Sequence, residues 1–209
     1  MDRYRSFSEL AKSAKEGKDF SVCIQNHSGT TVVIATHGGG IEPGTSEIAA
    51  AIAGYDLSFY AFEGIKPKGN RELHITSTHF DEPKCIALVT ASPRAIAIHG
   101  EDSEREVVFL GGRDEAMVKS IRDALVSKGF SVETHKNLAL QGRHEANICN
   151  RTASGRGVQM ELSDGLRRSF FTEFSSSGGR RTTKTEGFNK FVAAVREVIL
   201  RPSDTLSSQ

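Results

Sequence analysis

Short apolar runs recur along the chain, separated by polar and turn-forming residues. TTVVIAT (30–36), LSFYAFEG (57–64), RELHITS (71–77), AIAIHG (95–100), VVFLGG (107–112), FSVETH (130–135) and VQMELS (158–163) have the length and bounding residues of strands. Longer segments with helical spacing lie among them at 45–53, 82–91, 114–128 and 187–201, and a short helix is expected at 5–15. Strands alternating with helices of this length predict an α/β fold. The expected architecture is a single three-layer domain over residues 1–209, with a mixed, mostly parallel sheet flanked by helices. The connector IKPKGN is turn-rich, so 57–64 and 71–77 are expected to form an antiparallel hairpin. SSSGGRRTTKTEG (175–187) is expected to be a mobile loop, and 203–209 a frayed tail. No internal repeat or interdomain linker is visible.

Composition narrows the partners. The 209 residues carry 27 basic and 26 acidic groups, a net charge of +1. That balance argues against nucleic acid or an anionic membrane as a partner, so recognition by charge must be local. Cys23, Cys85 and Cys149 are far apart, which suggests reduced thiols rather than a disulfide framework. The first twenty residues are charged throughout, without the apolar core of a signal peptide, and no run approaches the roughly 18 apolar residues of a membrane span. A cytoplasmic monomer is expected, with any release to the outside left to lysis.

In open α/β sheets, ligand chemistry gathers at the carboxyl ends of strands. His37 follows the run 30–36, His99 ends AIAIH, and Glu161 lies near the end of VQMEL. With Glu42 the set is two imidazoles and two carboxylates. A catalytic zinc site needs three protein ligands, an open position and a separate carboxylate for proton transfer. The stretch HGGGIEPGTSE then makes sense: its glycines rule out a helical HExxH arrangement and let a loop fold back to present His37 and Glu42 together. Thr45 or Ser46 is expected to cap the next helix, with Glu47 in its first turn.

Other readings of these residues exist. HGGG resembles a phosphate cradle, but no GK[ST] follows and Glu42 would repel a phosphate. It also resembles an oxyanion-hole loop, but no GxSxG elbow accompanies it. His99 alone reads equally well as a satisfied core histidine. Glu161 in an apolar strand is costly to bury without a function or a partner. His74 and His79 fall on opposite faces of a continuing strand, which leaves only His79 as a candidate contact.

ATHGGGIEPGTSEIA, LHITSTHFDEP, AIAIHGEDSEREVVFLGG and NICNRTASGRGVQMELS resemble, in order over roughly residues 25–165, the poly-γ-glutamate hydrolase family of phages and related bacterial elements. That family is similar in fold to zinc carboxypeptidases. The resemblance implies one zinc per chain and cleavage of γ-linked glutamate. By the same resemblance His37, Glu42 and His99 would be the zinc ligands, and Glu161 the general base and acid. Asn150 and Arg151 would grip a substrate carboxylate. Arg113, after the glycines of LGGRD, departs from the apolar residue expected there. The anionic polymer would also need cations, for which Arg156, Arg167 and Arg168 near the catalytic strand, and Arg180, Arg181 and Lys184 on the loop, are candidates. The alternatives are a zinc amidohydrolase or peptidase for another N-acyl amino acid or peptide, or a non-enzymatic phage accessory protein.

Overall fold

The computed structural model describes residues 2–201; the tail expected at 203–209 lies outside them. The elements run α1 (Phe7–Leu10), β1 (Phe20–Gln25), β2 (Val32–Gly39), α2 (Thr45–Ala53), β3 (Ser58–Gly64), α3 (Pro83–Ala91), β4 (Ala95–Glu101), β5 (Val108–Gly112), α4 (Glu115–Ser127), β6 (Val132–Glu133), β7 (Gly157–Ser163), α5 (Asp164–Ser169), α6 (Ser177–Thr182) and α7 (Glu186–Ile199). The strands form one seven-stranded sheet in the order β1-β3-β2-β4-β7-β5-β6. Neighbours β3·β2, β2·β4, β4·β7 and β5·β6 are parallel, while β1·β3 and β5·β7 are antiparallel. The sheet is therefore mixed and mostly parallel, as the alternating pattern predicts.

Each face of the sheet carries its own apolar layer. Val33, Ala35, Ile96, Ile98, Val158 and Met160 pack with α2, α4 and α7. Val32, Ile34, Ala95, Ala97, Tyr60 and Phe62 pack with α1, α3 and the segment around Leu73–Phe80. Burial on both faces explains why the central strands read as continuous apolar runs. α4 buries Met117, Ile121 and Leu125 at four-residue spacing, and Asp114 caps it by accepting from Met117 N–H. No helix among the described residues is long and apolar enough to cross a membrane.

Two expected elements are different. Residues 71–77 are not a strand and form no hairpin with β3. The segment opens as a 3₁₀ turn at Asn70–Leu73 and then lies across the sheet face, burying Leu73 and Ile75. Its alternating burial imitates a strand, but the main-chain carbonyl of Ile75 is turned to His37. The antiparallel partner of β3 is instead β1, from Phe20↔Gly64 to Gln25↔Phe59. β1 is a half-exposed edge strand, so its apolar pattern is weak. The stretch 175–187 carries α6 and the start of α7 in place of a loop. Arg180 holds α6 down: its guanidinium is buried, pairs with Glu47 at 3.1 Å and donates to the Phe174 carbonyl at 2.8 Å.

Candidate metal centre

A bulge in β2 aims His37. Pairing with β3 advances from Ala35 to Gly38 on β2 while it advances only from Ala61 to Glu63 on β3. One extra residue is thereby accommodated, and it flips the subsequent side chains to the other face. Strict alternation would put His37 with Val33 and Ala35, beneath α2. The bulge turns it to the face on which His99 and Glu161, neighbours in the β4·β7 register, also project.

The glycines then reverse the chain. Gly39 has φ +63°, and a Cβ there would collide with the Gly64 carbonyl oxygen at 2.5 Å. At Gly38 a Cβ would run into the Ser46 hydroxyl. The returning loop is closed by Glu42 N–H donating to the His37 carbonyl (2.8 Å) and Gly39 N–H donating to Ser46 Oγ (2.8 Å). Ser46 is thus a loop clasp, not a cap. Thr45 donates to the Glu42 carbonyl at 2.8 Å, and the N-cap of α2 is Gly44, without a side-chain cap.

His37, Glu42 and His99 converge as one group able to hold a metal ion, their ligating atoms all within 4.8 Å of one another. His37 Nδ1 lies 3.1 Å from His99 Nδ1 and 3.1 Å from Glu42 Oε1, and His99 Nδ1 lies 3.9 Å from Glu42 Oε2. Each group is oriented from behind. His37 Nε2 donates to the Ile75 carbonyl at 2.9 Å, which is what the 71–77 segment contributes. His99 Nε2 is 3.3 Å from Ser77 Oγ, and Gly100 N–H donates to Glu42 Oε2 at 2.8 Å. Because a carbonyl only accepts, His37 presents Nδ1 towards the other two groups.

The electrostatics suit a cation. Burial would raise the Glu42 carboxyl, but His37 beside it, then His99 and the Gly100 N–H, hold it down at about 2. Burial opposes charge on His37, yet Glu42 lifts it above the ordinary imidazole value. Burial, followed by His37, pushes His99 down to about 3. Burial and then Glu42 drive Glu161 well above the usual carboxylate range. These are two carboxylates and two imidazoles facing each other with no arginine or lysine among them.

Glu161 ends a chain of side-chain hydrogen bonds. Asn147 Nδ2 donates to Gln159 Oε1 (2.7 Å), and Gln159 Nε2 donates to Glu161 Oε1 (2.8 Å) and to the Leu140 carbonyl (3.1 Å). The other Glu161 oxygen has no hydrogen bond to the described residues. Together these groups line a cleft of about 370 Å³ with His74, Ser77 and Leu140.

His74, Asn147 and Gln159 are site residues that sequence reasoning passes over. His74 stacks on His37 with ring centroids 3.9 Å apart, and its Nδ1 is held by Asp2 at 2.8 Å. Treating 71–77 as a strand pairs His74 against His79 and favours the wrong one; His79 lies outside the cleft. Gln159 was detectable, two residues before Glu161 in a strand and so on the same face.

The residues expected to bind substrate lie elsewhere. Asn150 is buried: its Nδ2 donates to the Gly142 and His144 carbonyls, and its Oδ1 accepts from Gly157 N–H. The Arg151 guanidinium donates to the Ala146, Thr78 and Phe80 carbonyls. Neither lines the cleft; both tie loop main chain together, because an arginine fork and an amide fit carbonyls as well as carboxylates. Arg156 is exposed just before β7 begins, at the end opposite Glu161. At 3.3 Å per residue that places it about 16 Å away along the strand. Arg113 is exposed and likewise outside the cleft. Arg167 is buried and donates to the Leu162, Pro43 and Glu101 carbonyls, which clamps the ends of β4 and β7 to the loop carrying Glu42.

Comparison with known proteins gives the family of the chain. The UPF0714 protein YndL of Bacillus subtilis (strain 168) is 37% identical over 191 residues, covering 91% of this chain and 75% of its own length. The SPbeta prophage-derived UPF0714 protein YoqZ of the same organism is 35% identical over 199 residues, covering 95% of this chain and 72% of its own. A solved bacteriophage poly-gamma-glutamate hydrolase superposes with a TM-score of 0.90 at 31% identity, covering 95% of this chain and 96% of that one. The zinc-free apo form of YndL gives a TM-score of 0.90 at 34% identity, covering 95% and 97%. The profile of the poly-gamma-glutamate hydrolase family matches residues 4–194, nearly the whole chain, and the protein belongs to that family.

Proposed function

We propose that the protein is a zinc-dependent hydrolase that cleaves the γ-glutamyl amide bonds of poly-γ-glutamate, with His37, Glu42 and His99 holding one zinc and Glu161 as general base and acid. The observation that carries this reading is the convergence of two imidazole Nδ1 atoms and a carboxylate, with a second carboxylate in the same cleft. Two ligands about 2.0–2.1 Å from a tetrahedral zinc lie about 3.3 Å apart. The observed spacings of 3.1, 3.1 and 3.9 Å bracket that value, and the donor set of nitrogen and carboxylate oxygen suits zinc. A relative solved in a zinc-free form supports the choice of ion.

When bound, the ion supplies Lewis-acid polarisation of the amide carbonyl and an acidified water. The chain supplies the rest. Glu161 accepts the proton of the attacking water as its oxygen bonds to the amide carbon. It returns that proton to the nitrogen as the C–N bond breaks, releasing an amine and a carboxylate. Gln159 N–H fixes one Glu161 oxygen so that the other faces the reaction. Glu161 is raised first by burial and then by the Glu42 charge, and a dication held by Glu42 would offset the second of these and so favour the basic form of Glu161. His74, stacked over His37 and held by Asp2, walls one side of the cleft.

The test is metal analysis together with polymer length on purified protein. One zinc per chain and shortening of poly-γ-glutamate are expected, with the zinc lost in His37→Ala and His99→Ala. A protein that takes up no metal, or that loads zinc and leaves the polymer intact, would refute the proposal.

A further inference from the structure

The catalytic cleft contains no lysine or arginine, yet it is lined by Glu42, Glu101, Asp102 and Glu161. Only Asp102 among these acids has an arginine or lysine partner among the described residues, Arg71 at 2.7 Å, so a polymer with a free carboxylate on every unit is disfavoured by this lining away from a bound metal ion. Its cationic contacts must lie beyond the cleft. A second cavity, of about 330 Å³, opens beside the glycine end of β5, between that strand and α4. Its lining includes Lys119, Arg122 and Arg143 against a single acid, Glu115.

One short stretch of chain contributes to both cavities. Leu140 lines the catalytic cleft, and Arg143, three residues further on, lines the second cavity. Three residues span at most about 11 Å of chain. The stretch is pinned, because the Gln141 carbonyl accepts from Gly112 N–H (2.7 Å) and the Gly142 carbonyl accepts from Asn150 (2.7 Å). The main chain between Leu140 and Arg143 is thus held in place. Within the groove, Arg122 is held by the Val132 carbonyl (3.1 Å) and Thr134 Oγ1 (3.2 Å). Lys119 pairs only with exposed Asp123 (3.0 Å), and Arg143 is exposed with no side-chain hydrogen bond or ion pair to the described residues. Arg143, without an internal partner among the described residues, and Lys119, tied only to an exposed acid, lie beside a pinned loop and fit carboxylates that arrive from outside.

We infer that this groove is a carboxylate-binding exosite, which holds one stretch of the anionic polymer while an adjoining stretch lies in the catalytic cleft. The inference rests on the proposed substrate. Binding of end-labelled poly-γ-glutamate to the zinc-loaded Glu161→Gln protein, followed by fluorescence anisotropy, reads the groove without turnover. Adding Arg143→Ala, and then Lys119→Ala, should weaken binding by roughly fivefold per cation and flatten its salt dependence. Arg143→Lys should keep most of the affinity, and Arg143→Glu should lose more than Arg143→Ala. In the otherwise native enzyme, the ratio of kcat/KM for long polymer to kcat/KM for a γ-glutamyl dimer should fall by a similar factor. Affinity and ratio both staying within about twofold in the double variant would overturn the exosite. A native enzyme that binds polymer through these cations without cutting it would instead refute the catalytic proposal and leave the groove standing.

Discussion

Two buried clusters of charge sit at either end of the same loop, and they are built on opposite terms. At its far end Glu47 is answered by Arg180, and Arg167 beneath the loop is answered by three carbonyls and by Asp164 at 3.6 Å. At its near end His37, Glu42 and His99 face one another with Glu161 close by, and no arginine or lysine lines the space. In the first cluster the chain supplies its own cations, and the result is architecture: α6 held down, strand ends clamped. In the second His37 pairs with Glu42 at 3.1 Å and no arginine or lysine lines the space, and the result is a group of donor atoms that could hold a cation from outside. Buried charge alone does not mark function; what separates the two clusters is whether an arginine of the chain answers the buried acid directly or the acid is left among imidazoles around an open cleft.

That contrast can be broken by substitution. The largest effect is expected from Glu42→Gln or His37→Ala, which should abolish stoichiometric zinc and lower turnover by about three or more orders of magnitude, as read by elemental analysis and polymer cleavage. Unfolding of zinc-free His37→Ala should also show a loss of stability, because the Glu42 carboxylate then loses its partner at 3.1 Å. Glu161→Gln should keep zinc and lose about two to four orders of magnitude in kcat; near-normal turnover would remove Glu161 from the mechanism. By leaving Glu47 buried and unpaired, Arg180→Ala should cost about 3–5 kcal/mol in denaturant unfolding, while the molecules that remain folded still bind zinc. Zinc itself should stabilise the native protein by about 2.7 kcal/mol at a concentration about 100 times its Kd, and Glu42→Gln should erase that gain. The smallest effect belongs to Asp2→Asn, which loosens His74 without touching the ligands and should lower kcat by less than about tenfold. A larger loss than that would make His74 a direct participant.

Much of the fold is legible in the chain's periodicities. Strands β2, β3, β4, β5 and β7 and helices α2, α3, α4 and α7 fall where apolar runs and helical spacing place them, because their burial is strong and regular. β1 escapes because it is a half-exposed edge. RELHITS misleads because a segment laid over a sheet alternates in burial just as a strand does. In the site, the residue types that a metal needs, at three strand ends and a glycine loop, point to His37, Glu42, His99 and Glu161. Asn150, Arg151 and Arg156 show the reverse. Their chemistry suits a carboxylate, but the fold gives the first two to carbonyls and sets the third at the wrong end of a strand.

By itself, then, the sequence determined the class of fold, the kind of chemistry and the family, because periodicity and residue type are local properties that survive without coordinates. The tertiary structure alone decided that His37 faces His99, because a one-residue bulge against β3 reverses the face of every residue after it. It alone decided which cations are spent inside the molecule, since an arginine's partner depends on what the fold brings to it and not on its neighbours in the chain.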